Sequence, residues 1–162
     1  MQEAKSQGSP ITVLGKKLLE EELKHLLSVE RPAVIQAIEE ARAHGDLKEN
    51  AEYAAAKEKQ SFIAGRVAHI NGMLAGAQVI DPSKLKFPHV VFGATVALED
   101  TETGTPVSYQ IVGVDEADIT KNKISVNSPI ARALIGKKAG DEVIVSTPKG
   151  AIHYEVCGVE YV

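Results

Sequence analysis

Two carboxylates three residues apart, Asp46 and Glu49, are the side chains whose types and spacing are best suited to metal chemistry. Carboxylate oxygens are natural ligands of Mg²⁺, which keeps several waters and typically takes one or two protein carboxylates. Two acids on flexible side chains are too few to form a metal site alone. They suffice to complete the coordination of an ion that another molecule holds.

The same two residues also have a purely structural interpretation. Asp46 is a favoured N-cap residue, and Glu49 three positions later resembles the second half of a capping box. Both carboxylates would interact favourably with the positive end of a following helix. The spacing leaves both interpretations open, and they are compatible, because one oxygen of Asp46 can cap while the other faces outward.

A helix is predicted before the acidic pair. Thr12 is a suitable N-cap, and apolar residues recur after it at intervals of three and four. Pro32 cannot donate a hydrogen bond to the carbonyl of Ser28, so we expect a kink or a brief break there. Gly45 readily adopts a left-handed conformation and is expected to end the helix. The apolar positions are Leu19, Leu23, Leu26, Val34, Ile38 and Ala41.

A second helix is predicted after the pair, with a more regular apolar seam. The seam runs for about three and a half heptads, which predicts a coiled coil. The very short connection at residues 45–49 makes the two helices antiparallel neighbours. Helices of about 27–30 residues would give a hairpin about 40–45 Å long. The seam consists of Tyr53, Ala56, Gln60, Ile63, Val67, Ile70, Leu74 and Ala77.

The pattern changes to that of a small α+β domain beyond residue 81. The predicted elements are strands at residues 90–98 and 107–111 around a turn with Gly104, a short helix from Ser128-Pro129 to Gly136, and a hairpin of strands 143–147 and 152–156 around Gly150. We therefore divide the chain into a disordered arm at residues 1–10, a coiled-coil hairpin at 11–81 and a β-sheet domain with one short helix at 82–162.

Composition and charge exclude several classes of protein. Of the 162 residues, 44% are hydrophobic and 25% charged, which is typical of a folded domain. Aromatic residues make up 4%, too few for platforms that stack single-stranded nucleic acid. The net charge of −4 is shared by both halves, so neither is a basic block that neutralises phosphates. No apolar run could span a membrane, no signal peptide is visible, and the lone Cys157 excludes an intramolecular disulfide, so we expect a cytoplasmic protein.

Two longer motifs resemble the signatures of a known family. Residues 45–53, Gly-Asp-Leu-Lys-Glu-Asn-Ala-Glu-Tyr, resemble the N-terminal signature of the bacterial Gre-type transcript cleavage factors. Residues 125–137, Ser-Val-Asn-Ser-Pro-Ile-Ala-Arg-Ala-Leu-Ile-Gly-Lys, resemble the second signature, in the C-terminal domain. The resemblance covers nearly the whole chain, from about Thr12 to Val162.

The resemblance implies a fold and a mechanism. In Gre-type factors a coiled-coil hairpin enters the secondary channel of RNA polymerase, and an FKBP-like C-terminal domain docks on the channel rim. Asp46 and Glu49 would help to hold Mg²⁺ and its water at the polymerase's own active site, where the 3′ end of backtracked RNA is hydrolysed. The factor would be a monomeric accessory protein rather than an enzyme, with Mg²⁺ supplied by the polymerase and no cofactor of its own.

The resemblance also implies two sets of contact residues. Those expected to contact RNA or polymerase near the tip are Arg42, Lys48, Asn50, Tyr53, Lys57 and Arg66, and those expected to dock on the rim are Asn127, Ser128 and Pro129. Taken without the resemblance, the basic residues are more simply a solvated helix surface and Tyr53 a seam residue. Ser128 and Pro129 are explained equally well as the start of a helix.

Two other functions fit parts of the sequence. A plug that blocks the polymerase channel without promoting cleavage would have the same shape, but it would need no carboxylates at its tip. A stand-alone enzyme such as a prolyl isomerase would need an aromatic-lined apolar pocket, for which the C-terminal domain offers few aromatic residues.

Overall fold

The computed structural model describes residues 8–45 and 50–162. Contacts within the chain divide these residues into two units. Residues 16–76 form a helical unit, and residues 8–15 together with 77–162 form a second unit that contains the β-structure. The bounds of the helical unit lie a few residues inside those expected for the hairpin, because the first turn of the first helix belongs with the second unit.

The helical unit is a hairpin of two arms. The first arm comprises α1 (Val13–His25), a π-helical turn (Leu26–Glu30) and α2 (Arg31–Ala43). The second arm is α3 (Ala51–Ala75), whose 25 residues give about 38 Å of helix at 1.5 Å per residue. The predicted hairpin is confirmed. Gly45, which was expected to end the first helix, lies just beyond α2 and has a positive φ of 125°. In the part of the chain that the structure describes, no helix is long and apolar enough to cross a membrane.

The π-helical turn is the form that the predicted interruption at Pro32 takes. Proline has no N–H, so the carbonyl of Ser28 lacks its usual α-helical donor. Just before the proline, the N–H of Arg31 donates to the carbonyl of Leu26, five residues earlier, as in a π-helix. The backbone therefore remains helical through the interruption. Leu26 and Val34, eight residues apart, are both buried. The extra residue of the π turn thus keeps the apolar seam on one face of the arm.

The core of the hairpin is the seam predicted from the sequence. Apolar side chains from both arms meet along it, and their burial supplies most of the stability that a two-helix unit can have. Gln60, the one polar seam position, is half-buried. The buried members are Leu19, Leu26, Val34, Ile38, Ala56, Ile63, Val67 and Ile70.

A small parallel sheet was not predicted. Strand β1 (Pro10–Thr12) pairs with β2 (Gln78–Ile80), and the carbonyl of Ser9 accepts the N–H of Gln78 at 2.9 Å. The prediction of a disordered arm is therefore wrong for Ser9 and Pro10, while residues 1–7 lie outside the described residues. A three-residue strand whose partner is distant in sequence leaves no local periodicity from which to predict it.

A five-stranded mixed sheet forms the body of the second unit, with strand order β5-β4-β3-β7-β6. Its strands are β3 (Thr95–Asp100), β4 (Pro106–Val112), β5 (Lys123–Ser125), β6 (Glu142–Thr147) and β7 (Gly150–Glu160). All neighbours are antiparallel except β4 and β5, which are parallel. Short 3₁₀ helices lie at Pro82–Lys84 and Ile119–Lys121, and α4 spans Pro129–Leu134. The predicted α+β class is confirmed.

Helix α4 contributes directly to the core of this unit. Its residues Ala131 and Leu134 are fully buried, together with sheet residues that include Val96, Leu98, Ile111 and Val156. The strand predicted to begin at Val90 begins instead at Thr95. Val90 is buried and exchanges backbone hydrogen bonds with Gly136 and Lys137, so its apolar character reflects burial in the core and not membership of the sheet.

Glu116 fixes the first turn of α1. Its Oε1 accepts the N–H of Thr12 at 2.7 Å, and its Oε2 accepts the Thr12 hydroxyl. The hydroxyl oxygen in turn accepts the N–H of Gly15 at 3.0 Å, which confirms Thr12 as the N-cap. A Cβ atom on residue 15 would overlap the Glu116 carboxylate. Glycine is therefore required at position 15 for this carboxylate to reach the helix start.

We predict that Gly15→Ala destabilises the protein although alanine favours helix. The added methyl displaces Glu116, and the loss of its charge-assisted hydrogen bonds, about 1.5–3 kcal/mol, outweighs a helix-propensity gain of about 1 kcal/mol. The matched control is Gly65→Ala in α3, where nothing lies near the added Cβ, and it should raise the free energy of unfolding by about 0.5–1 kcal/mol. Urea unfolding measures both. A gain in stability for both variants would contradict the role of Glu116.

Candidate functional site

The two arms of the hairpin end at a group of four residues, Ala41, Arg42, Asn50 and Tyr53, which we call the tip base. Ala41 and Arg42 lie in the last turn of α2, Asn50 is the N-cap of α3 and Tyr53 lies in its first turn. Ala41 is almost completely buried, and its small side chain allows close packing there. The tip base therefore lies where the two arms end, with residues 46–49 between its members in the sequence.

Asn50 connects the two arms through one side-chain amide. Its Oδ1 accepts the N–H of Tyr53 at 3.0 Å, which caps α3, and its Nδ2 donates to the carbonyl of Ala41 at 2.7 Å. A carbonyl can only accept and an N–H can only donate, so these two partners determine the orientation of the amide. One side chain thus satisfies an orphan donor of α3 and gives a second hydrogen bond to a carbonyl in the last turn of α2.

Tyr53 and Arg42 pack across the tip base. The Tyr53 ring is half-buried against the hairpin seam, as its seam position predicted. The guanidinium carbon of Arg42 lies 5.9 Å from the centroid of that ring, within the range of a cation–π contact. Arg42 itself is exposed, so its charge remains available to a partner beside the tip.

Asp46, Lys48 and Glu49 lie outside the described residues. The structure nevertheless tests the capping interpretation, because α3 begins at Ala51 and its N-cap is Asn50. The expectation that Asp46 caps the second helix is therefore wrong. A neutral amide takes that role, and it lies immediately before the helix.

Arg66 is held by an ion pair between the two arms. Its Nε and one of its terminal nitrogens donate to the two carboxylate oxygens of Glu22, at 2.7 and 2.8 Å. The hydrogen bond from Arg66 lowers the pKa of Glu22, although partial burial opposes the shift. The guanidinium expected to contact RNA is therefore already engaged in fixing the register of α1 against α3.

Lys57 lies one turn beyond Tyr53 on α3. It is exposed, and its Nζ donates to Oε1 of Gln60 at 3.3 Å, a neutral and weak partner. Its positive charge is not neutralised by that contact. Lys57 and Arg42 are thus two exposed basic residues near the end of the hairpin.

The second set of predicted contact residues lies in the other unit, just before α4. Ser128 is the N-cap of α4, since its hydroxyl oxygen accepts the N–H of Ala131 at 3.3 Å. Pro129 occupies the first helical position. Asn127 is exposed, and its backbone N–H donates to the hydroxyl of Ser125 at 3.2 Å. This surface therefore offers the side chains of Asn127 and Pro129, while the Ser128 hydroxyl is used by the helix.

The described residues hold no group of three or more His, Cys, Asp or Glu side chains placed to bind a metal ion. Any ion that meets the acids of the tip segment would therefore need further ligands from outside the described part of this chain.

Comparison with known proteins identifies the family. The family model "Transcription elongation factor, N-terminal" matches residues 9–79, and the model "Transcription elongation factor, GreA/GreB, C-term" matches residues 85–161. The chain belongs to the GreA/GreB family of transcription elongation factors. The resemblance inferred from the two signatures is thus confirmed over nearly the full length.

Individual relatives within the GreA/GreB family are similar along almost their whole length. The transcription elongation factor GreA of Halorhodospira halophila is 61% identical over 153 residues, which is 94% of this chain and 97% of the relative. GreA of Alkalilimnicola ehrlichii is 58% identical with the same coverage. Among solved structures, GreA factor homolog 1 (Gfh1) of Thermus thermophilus is 26% identical, with 94% of this chain and 99% of that chain covered and a TM-score of 0.43.

Two interactions of this GreA/GreB family member were missed from the sequence. Asn50 stands directly before the apolar seam, where an N-cap is expected. Asp46 satisfies the same rule four residues earlier, so the sequence analysis assigned the cap to Asp46. The pair of Glu22 with Arg66 joins residues in different arms, and only the register of the hairpin brings them together. A register model built from the seam could have found the second.

We predict that Glu22 and Arg66 are energetically coupled. A double-mutant cycle with Glu22→Gln and Arg66→Met should give a coupling of about 1 kcal/mol at low salt, because the pair is bidentate but partly exposed, and less at high salt. The folded pKa of Glu22 lies below its ordinary 4.5. Its contribution to stability is therefore complete above that value and is lost as the pH falls through the lower, folded pKa. Unfolding by urea along an acid series measures the effect, and a coupling of zero at low salt would contradict it.

Proposed function

We propose that this elongation factor inserts its hairpin into the secondary channel of bacterial RNA polymerase and stimulates the polymerase's own cleavage of backtracked RNA. Membership of the GreA/GreB family supports a role in elongation. The observation that carries the finer proposal is the position of the acids. Asp46 and Glu49 occur in the segment between the ends of α2 and α3, at the end of a two-helix arm whose long helix spans 25 residues.

The chemistry proposed for the tip is hydrolysis shared with the polymerase. The carboxylates of Asp46 and Glu49 have the donor type that Mg²⁺ takes, and two of them leave most coordination positions for other ligands. Asp46 and Glu49 would each contribute anionic oxygens to Mg²⁺ at the polymerase's own site, and the chemistry supplied by bound Mg²⁺ would be activation of water for hydrolysis. Water then displaces the 3′ oxygen of the nucleotide upstream of the scissile phosphate, which leaves a new 3′ hydroxyl end for synthesis.

The other residues of the hairpin position the acids and contact RNA. The tip base joins the ends of the two arms, and the exposed side chains of Arg42 and Lys57 are the proposed contacts to phosphates of the extruded 3′ RNA. Lys48 belongs to the same proposed contact set. Arg66, neutralised by Glu22, contributes through the register of the hairpin.

The surface before α4 is the proposed docking site on the channel rim. Asn127 offers an exposed polar side chain and Pro129 an exposed ring, with the Ser128 hydroxyl committed to the cap. We further propose that the protein acts in the bacterial cytoplasm as a monomer and brings neither a metal nor another cofactor of its own to the polymerase.

We predict that Asp46→Asn and Glu49→Gln each abolish stimulated cleavage but not polymerase binding. Each variant keeps the size of the side chain and removes one anionic ligand, and a loss of several kcal/mol of transition-state stabilisation corresponds to about 100-fold or more in rate. Affinity, measured by competition, should stay within about twofold, a few tenths of a kcal/mol. The matched control is Glu102→Gln, which removes an exposed acid in the β3–β4 turn.

The assay uses backtracked elongation complexes with labelled RNA, and single-turnover rates are compared at saturating factor. Normal cleavage with Asp46→Asn would contradict the proposed metal role. If the unaltered protein binds but slows both synthesis and cleavage, the channel plug is the correct function instead.

A second prediction concerns the protein alone. Because the proposed site is completed by the polymerase, the purified factor should not cleave RNA at any Mg²⁺ concentration. Incubation of labelled RNA with factor, with polymerase and with both separates the cases. Cleavage by the factor alone, lost in Asp46→Asn, would make this protein an enzyme in its own right.

A further inference from the structure

We infer that Asn50 is a positioning residue for the tip acids, and that its link to Ala41 matters more for this role than its helix cap. The inference rests on the proposed function of Asp46 and Glu49. Its structural basis is the pair of contacts made by one amide, 2.7 Å to the carbonyl of Ala41 and 3.0 Å from the N–H of Tyr53.

The link acts on the ends of the segment that carries the acids. Ala41 and Asn50 are separated by nine positions in sequence, and the hydrogen bond between them fixes the distance between the two arms at that point. Closing a loop at a point removes conformations that open ends would allow. The carbonyl of Ala41 also accepts the N–H of His44 at 3.2 Å, so the last turn of α2 and the first residue after the segment share one acceptor.

The seam does not supply this constraint by itself. Its last buried side chains on the two arms are Ala41 and Ala56, and alanine contacts are small, so they fix the position of the arms' ends less firmly than larger side chains would. The contact of Arg42 with Tyr53 is at the long end of the cation–π range, at 5.9 Å. The amide of Asn50 is the short and directional interaction between the arms at the tip base.

The two functions of Asn50 can be separated by substitution. Serine caps a helix about as well as asparagine, but its shorter side chain lacks the amide that reaches Ala41. Asn50→Ser therefore keeps the cap of α3 and removes the link. Asn50→Asp also keeps the cap, but it replaces the donor by an oxygen that repels the Ala41 carbonyl. Asn50→Ala removes both functions.

The control must lose one side-chain to main-chain hydrogen bond elsewhere in the hairpin. Ser28→Ala does so, since the Ser28 hydroxyl donates to the carbonyl of Lys24 at 2.6 Å in the first arm. It lies in the π-helical turn, away from the tip base. Its effect shows what a general loss of hairpin stability does to the factor.

The experiment measures stimulated cleavage in backtracked complexes as a function of factor concentration. For Asn50→Ser and Asn50→Asp we expect the maximal cleavage rate to fall about tenfold, equivalent to about 1.4 kcal/mol, with the half-saturating concentration unchanged. Ser28→Ala should keep the maximal rate. Thermal unfolding, followed by the helical circular dichroism signal, should be similar for Asn50→Ser and Ser28→Ala. Amide hydrogen exchange of the free protein should be faster at His44 and Gly45 in Asn50→Ser but not in Ser28→Ala.

The outcomes distinguish this inference from the proposed function. If the unaltered factor does not stimulate cleavage, the proposed function fails, and the exchange experiment alone then decides whether Asn50 holds the two arms together at the tip base. If the unaltered factor stimulates and Asn50→Ser does so at the same maximal rate, the inference is overturned. It is equally overturned if Ser28→Ala loses as much rate as Asn50→Ser, or if the loss appears only as weaker binding.

Discussion

Two helices that end side by side leave carbonyls of one and N–H groups of the other without partners, and this constraint dominates the end of the hairpin. A single amide resolves part of it from both sides, because Asn50 accepts from α3 and donates to α2. A hydroxyl or a carboxylate could cap α3 equally well. An amide carries its acceptor and its donor on two separate atoms, so one short side chain can reach a partner on each helix.

The rest of the hairpin keeps its two arms in phase along their length. The π-helical turn before Pro32 absorbs one residue, so Leu26 and Val34 stay on the same buried face. The bidentate pair of Glu22 with Arg66 then fixes the register between arms. Apolar packing favours close approach of the arms but tolerates sliding, whereas a bidentate pair is specific to one register.

Long periodic elements could be predicted because their residues repeat the same signal many times. The α3 seam is such an element. The Thr12 cap and the start of α4 at Ser128-Pro129 could be predicted for another reason, because each depends only on residues that are adjacent or nearly adjacent in sequence. The assignment of the α3 cap failed because Asp46 and Asn50 satisfy the same local rule, and only packing of the arms decides between them. Pairing of β1 with β2 and the contact of Glu116 with Thr12 join residues distant in sequence, for which no periodicity exists.

The cap by Asn50 bears directly on what the acids are for. A carboxylate at a helix start ordinarily has a sufficient structural explanation, because it satisfies N–H groups and complements the helix dipole. Here the N–H of Tyr53 already has its acceptor in a neutral residue. The cap of α3 therefore does not require Asp46. What remains for Asp46 and Glu49 is the proposed role as ligands of a metal ion that a partner holds, which their type and spacing favour.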